Sequence, residues 1–208
     1  MFITFEGLDF CGKSTQVKLL KQKLEQNNRN VRLIREPGGT KISEQIRRLL
    51  LDRRNYEMSF AAELLLFSAS RAQLVQEEII PLLNDGYYVI SDRFHDSSIA
   101  YQGYGRGINV EAVQTIQKFA ISTALPDITF FIDIPVEEVE RRKAKLQEEL
   151  LDRIEVSNEE FYQRVRGGYI KLCAEEKRFR LIDGTKSIEE IHETIMKEVG
   201  LINKKDAE

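Results

Sequence analysis

Short runs of β-branched and aromatic residues alternate along the chain with longer stretches in which apolar positions recur at helical spacing. The short runs Phe2–Phe5, Val31–Ile34, Tyr87–Ser91, Ile128–Ile134 and Phe179–Ile182 read as strands. Between the first two, Lys13–Gln26 places Val17, Leu20 and Leu24 on one helical face. The longest helical stretch, Ser59–Asn84, carries Leu64, Phe67, Ala72, Val75 and Ile79, and Asn84-Asp85-Gly86 is a stop signal. Further helices are predicted at 42–51, 110–124, 136–149, 158–177 and 188–199. Regular alternation of this kind specifies an α/β fold around a mainly parallel sheet. Neither a repeat nor a linker interrupts it, so the pattern predicts one domain over 1–208, with Asn203–Glu208 a frayed polar tail.

Three predicted strands run directly into polar or glycine-rich residues. Phe5 leads to Glu6-Gly7, Ile34 to Arg35-Glu36-Pro37-Gly38-Gly39, and Ser91 to Asp92-Arg93. Ligands of open parallel sheets bind beyond the carboxyl ends of the strands, so these loops are expected to meet at one site.

Composition narrows the class. The 208 residues are 42% hydrophobic and 31% charged, ordinary for a globular protein. A net charge of -3 and a pI near 5.7 speak against a protein that grips nucleic acid, while leaving room for a local phosphate site. No apolar run is long enough to span a membrane, and the start lacks a signal-peptide pattern. Two cysteines, Cys11 and Cys173, make no disulfide scaffold, which fits a cytoplasmic protein with free thiols. His95 and His192 read as ordinary loop and helix histidines.

Residues Gly7-Leu8-Asp9-Phe10-Cys11-Gly12-Lys13-Ser14 match G-x-x-x-x-G-K-[ST] between a strand and a helix. Such a loop turns backbone N–H groups onto phosphate oxygens, and the following helix adds its dipole. The expected ATP-binding set is Gly7, Leu8, Asp9, Phe10, Cys11, Gly12, Lys13, Ser14 and Thr15. Lys13 brings a cation to the β/γ-phosphates, and Ser14 offers a hydroxyl to Mg²⁺. Asp92, at a strand end facing this loop, suits the same Mg²⁺; a helix cap or ion pair is its structural alternative. Arg93 presents a bidentate fork for phosphate.

The phosphate loop does not name the acceptor. Asn203-Lys204-Lys205-Asp206 has the form of a guanine-binding motif but follows no strand. The basic segment Arg141-Arg142-Lys143-Ala144-Lys145 and Leu151-Asp152-Arg153-Ile154-Glu155 suggest a lid over about 141–156 that brings guanidinium groups to a phosphoryl group. For the lysines a solvated helix face explains the pattern equally well. Cys11, near a helix N-terminus, is expected to react with alkylating agents and to be protected by ATP, or else to be a small residue tolerated in the loop.

Five ordered motifs carry a resemblance. They are Ile3–Gly7 with its loop and Gln16, Arg35–Thr40, Leu65–Gln73, then Asp92-Arg93-Phe94 through Ser97-Ser98 and Ala100–Gly103, and Leu151–Glu155. Over nearly its whole length the chain resembles bacterial thymidylate kinases. The resemblance implies a P-loop nucleoside triphosphate hydrolase-like three-layer sandwich, with a five-stranded parallel sheet flanked by helices. It implies phosphoryl transfer from ATP, with Mg²⁺, to dTMP, in a cytoplasmic homodimer. It assigns Phe67 to stacking on the base and Arg71 to hydrogen-bonding it. Ser98, Tyr101 and Gln102 would line the base pocket, Arg93 with Arg35 or Glu36-Pro37 would address the 5′-phosphate, and Asp9 would meet the sugar 3′-OH. Metal ligands would be Ser14 and Asp92. Members carry a catalytic arginine in the phosphate loop or in the lid. This loop has none, so the catalytic set becomes Lys13, Arg93, Arg142 and Arg153. Asp183-Gly184-Thr185 would border the adenine. A glycine is common in relatives where this chain has Phe10. Two competing readings remain: a slowly hydrolysing nucleotide switch, and a kinase of another small acceptor such as dUMP.

Overall fold

The computed structural model describes residues 1–145, 147 and 151–205. Its elements are β1 (Phe2–Glu6), α1 (Lys13–Gln26), β2 (Val31–Arg35), α2 (Lys41–Leu51), α3 (Phe60–Leu74), α4 (Ile80–Asn84), β3 (Tyr88–Asp92) and α5 (His95–Ser98). They continue with α6 (Val110–Ile121), β4 (Ile128–Asp133), α7 (Val136–Lys143), α8 (Glu159–Glu175), β5 (Phe179–Asp183) and α9 (Ile188–Lys205). The strands form one parallel sheet in the order β2-β3-β1-β4-β5, flanked by helices. Every residue of the central β1 is buried. The larger apolar core joins Ile3 and Phe5 to Val17, Leu20, Val165 and Ile195; a smaller one gathers Phe2, Leu74, Val89 and Phe94.

Topology fixes where a ligand site belongs. From β1 the chain travels toward the β2 edge, and from β3 it crosses β1 to β4. The strand order therefore reverses between β1 and β3, and a crevice opens at their carboxyl ends. Register aligns those ends, with Phe5 opposite Asp92 and Arg35 opposite Asp92.

Helix starts follow local chemistry. The side chains of Thr40, Ser59, Asn109 and Asn158 each accept an amide hydrogen from the first turn of α2, α3, α6 and α8. The predicted helix over 59–84 exists, but Val75–Ile79 is a π-helical segment. Pro81 lies just beyond it and has no amide to offer the turn behind, which shifts the hydrogen-bond register.

Two differences from the sequence expectation matter. The expected loop after Phe94 is helical: α5 passes into a π-helical turn, Ile99–Gly105. Its anchors are polar, so no apolar periodicity announced it. Asp96 is held by Arg178, Ser97 by Glu6, and Gln102 by Glu63. The tail differs too, since α9 runs to Lys205 where fraying from Asn203 was expected. The predicted helix over 136–149 ends as α7 at Lys143, and its remainder includes residues 146, 148 and 149, which lie outside the described residues along with 150 and 206–208.

Candidate active site

The loop between β1 and α1 turns as its glycines permit. Gly7 has φ 144° and Gly12 φ 98°, and a Cβ on Gly7 would stand 2.5 Å from the Ile132 carbonyl oxygen. Phe10 adopts φ 64°, the left-handed region that glycine occupies freely. Lys13 Nζ donates to the Gly7 and Leu8 carbonyls at 3.1 and 2.7 Å. The Cys11 thiol is turned beneath the loop, 2% exposed and 3.6 Å from Lys13 Nζ.

The end of β3 faces this loop. Ser14 Oγ donates to Asp92 Oδ2 at 2.6 Å, so a hydroxyl and a carboxylate, both hard oxygen donors, stand side by side at the helix N-terminus. Among the described residues no cluster of three or more acidic, His or Cys side chains offers a complete cage. Arg93 comes next, with φ 70°. Its Nη2 meets Asp9 at 2.6 Å and the Tyr101 hydroxyl at 3.0 Å, while Nη1 meets the Gly7 carbonyl at 2.9 Å. Asp9 also accepts from Tyr101 and Tyr162. Burial pushes the Asp9 carboxyl up, but Arg93 and Lys13 outweigh it and hold it below its ordinary value.

One cavity of about 620 Å³ runs from this loop to a second pocket. It touches residues 9–15 at one end and Phe67, Arg71, Ser98, Tyr101 and Gln102 at the other, with Arg35, Glu36, Pro37, Asp92 and Arg93 between. Phe67 is half-buried and belongs to neither apolar core, so its ring serves the cavity wall. Arg71, one turn further along α3, shares that face. It is 1% exposed; Nε donates to Glu36 at 2.7 Å, Nη1 to Ser98 at 2.9 Å and to Gln117, and Nη2 to the Phe94 carbonyl at 3.0 Å. A base that reaches Arg71 must share one of these donors. Desolvation raises the Glu36 carboxyl against the pull of Arg71, and its Oε1 has no protein partner.

The two arginines expected in a lid separate. Arg142 lines the cavity at the loop end, with Nη1 on the Phe10 carbonyl at 2.8 Å and Nε on Glu138 at 2.6 Å. Arg153 does not line it. Its Nη1 lies 2.7 Å from the fully buried Glu63 and its Nε donates to the Leu50 carbonyl at 2.8 Å. Glu63 also binds Gln102 and Arg106, so Arg153 fastens residues 151–155 to the pocket wall, and its neighbours Asp152, Ile154 and Glu155 line the cavity. Asp183, the last residue of β5, and the Gly184-Thr185 that follow it are not among the cavity-lining residues.

Some site residues were not foreseen. Arg47 joins the cavity from α2 and donates to the Pro37 carbonyl at 2.8 Å; its only signal was sharing a helical face with Leu51, also in the wall. Tyr162 and Tyr169 of α8 send hydroxyls to Asp9 and Glu6. No sequence motif singled them out, and their rings belong to the apolar core.

The chain is similar to known proteins along nearly its whole length. A family model described as thymidylate kinase matches residues 5–195. The thymidylate kinase of Kosmotoga olearia is 48% identical over 206 residues, covering 99% of this chain and 98% of the relative. That of Chlorobaculum parvum is 49% identical, covering 94% of each. A crystal structure of thymidylate kinase from Ehrlichia chaffeensis superposes with a TM-score of 0.76 at 36% identity, over 96% of this chain and 98% of that one. A phosphate loop sharing one cavity with an aromatic-walled second pocket, on a chain so similar along its length, means that the chain belongs to the thymidylate kinase family.

Proposed function

We propose that the chain transfers the γ-phosphoryl group of ATP to dTMP, giving ADP and dTDP, in dTTP synthesis. The carrying observation is the single cavity that joins the phosphate loop to the Phe67–Arg71 pocket. A nucleotide switch needs no second pocket; a kinase must seat two substrates within reach of each other. The acceptor's 5′-phosphate is already an anionic nucleophile, so no general base is required.

Residues 7–15 bind ATP, with Lys13 on the β/γ-phosphates. Phe67, Arg71, Ser98, Tyr101 and Gln102 receive thymine, Asp9 the sugar edge, and Glu36, Pro37 and Arg93 the acceptor phosphate end. Arg35 and Arg47 add positive charge along that wall. Mg²⁺ would be held by Ser14 and Asp92, and it would supply charge neutralisation to the ATP phosphates. Arg93 and Arg142 stabilise charge on the moving phosphoryl group, with 141–156 acting as the lid. Arg153 anchors that lid, a role supported by its ion pair with Glu63.

The protein works as a cytoplasmic homodimer. Supporting the dimer, Phe60, Leu65 and Phe119 expose 50%, 56% and 87% of their surface on α3 and α6, which pack on each other. Sedimentation velocity that shows only monomer at micromolar concentration would remove it.

A coupled assay of ADP formation with dTMP, dUMP, dCMP, AMP and shikimate tests the whole reading. dTMP should be preferred, and dUMP, lacking one methyl, should fall about 10–200-fold behind. ADP release that is indifferent to every acceptor overturns it.

A further inference from the structure

Glu6 closes β1, is fully buried, and is not among the residues that line the cavity. Its Oε1 accepts from the Phe94 amide at 2.8 Å. Its Oε2 accepts from the Ser97 hydroxyl at 2.6 Å and the Tyr169 phenol at 2.7 Å. Burial keeps that phenol protonated, far above its ordinary range. A hydroxyl has a single proton to give. Ser97 and Tyr169 both spend theirs on Glu6, so both oxygens turn lone pairs the other way. Arg93 Nη1 lies there, 3.2 Å from Ser97 and 3.4 Å from Tyr169. The two oxygens are 3.0 Å apart with no proton left to place between them, and the guanidinium offsets their repulsion. The other edge of Arg93 repeats the device, since Tyr101 donates to Asp9 and receives from Arg93.

We infer that Glu6 is a positioning residue for the phosphoryl transfer: acting through Ser97 and Tyr169, it fixes the hydroxyl polarity that aligns Arg93 over the phosphate loop. The inference rests on the phosphate role given to Arg93. Glu6 touches no substrate; it determines which way two hydroxyl dipoles face.

Glu6→Gln keeps the shape and reverses the polarity. The amide oxygen is claimed by the Phe94 N–H, so the NH₂ group meets Ser97 and Tyr169 as a donor, and their protons swing toward Arg93. Loss of well-directed hydrogen bonds to a charged group predicts a fall in kcat of about tenfold or more, with KM for ATP little changed. Ser97→Ala and Tyr169→Phe should each be mildly harmful in the wild type. In the Glu6→Gln background each deletes a misdirected proton, so each should raise kcat. A purely structural carboxylate predicts additive losses instead, with no reversal of sign. Should Glu6→Gln fail to fold, Ser97→Ala/Tyr169→Phe in the wild-type background removes the relay without touching Glu6 and should show the same kcat loss. Wild-type kcat in either variant, or strict additivity, overturns the inference. Arg93→Ala separates the two levels. An active Arg93→Ala enzyme refutes the phosphate role itself; an inactive one beside a fully active Glu6→Gln refutes the relay alone.

Discussion

Truncating the two lid arginines should damage the protein in opposite ways. Arg153 is 8% exposed and its partner Glu63 is fully buried, 2.7 Å away. Breaking a buried pair by removing one member typically costs about 3–5 kcal/mol. Glu63 keeps Arg106 and Gln102, which moves Arg153→Met below that range, to about 2–3 kcal/mol. At roughly 2–4 °C per kcal/mol for a chain of this size, the melting temperature should drop by about 5–10 °C. The kcat measured well below the melt should stay within about threefold, since the guanidinium meets no reacting atom. Arg142 reverses both effects. Its Glu138 pair lies near the surface and is screened by solvent, so Arg142→Met should melt almost normally. Loss of a charge-stabilising donor at the loop end should lower kcat by about 100-fold. Thermal melts and steady-state ADP release on both variants decide the matter. An Arg153→Met protein with an unchanged melt and a collapsed kcat would show that its guanidinium leaves Glu63 for the phosphoryl group, and the anchor reading would be wrong.

Two further outcomes are expected. Asp92→Asn leaves Ser14 beside a neutral amide, so the Mg²⁺ concentration giving half-maximal rate should rise at least about tenfold; an unchanged Mg²⁺ titration removes Asp92 from the metal site. Burial, reinforced by Asp96 and opposed by Arg93, pushes the Glu6 carboxyl from 4.5 to about 7, with Tyr169 and Arg178 the other groups facing it. Below pH 4.5 it is neutral both folded and unfolded, so its contribution to stability is fully present there and is lost as pH rises through about 7. The stability of wild type relative to Glu6→Gln should therefore fall by roughly 3 kcal/mol between pH 4.5 and 8 in urea melts, while wild-type kcat rises as Glu6 ionises; a flat difference would sink the assignment.

What could be read from the sequence had a local cause. All five strands appear within a residue of their expected limits, because each is a short apolar run bounded by turn residues. The phosphate loop was legible because fixed glycine, lysine and serine positions answer to a ligand of fixed shape. The helical turn over Ile99–Gly105 was not, because buried hydrogen bonds such as that of Gln102 to Glu63 help hold it, and they leave no regular apolar stripe to read. Arg153 shows the same limit at the site. A basic residue beside Leu151 and Ile154 fits a lid cation or a packed anchor equally, and only the distant Glu63 distinguishes them. Tyr169 and Glu6 meet across 163 positions of sequence, a separation no local pattern encodes.

The left-handed turn at Arg93 has a consequence for how the two halves of the reaction can evolve. Along a strand, neighbouring side chains point to opposite faces; φ 70° at Arg93 breaks that alternation, so Asp92 and Arg93 both address the crevice. The proposed metal side and the proposed acceptor side are thereby joined by one peptide unit, with Cα atoms about 3.8 Å apart. Their spacing is a covalent constant. Drift in helices or loops can retune each pocket, but no insertion between these two residues can move one substrate relative to the other without dismantling both.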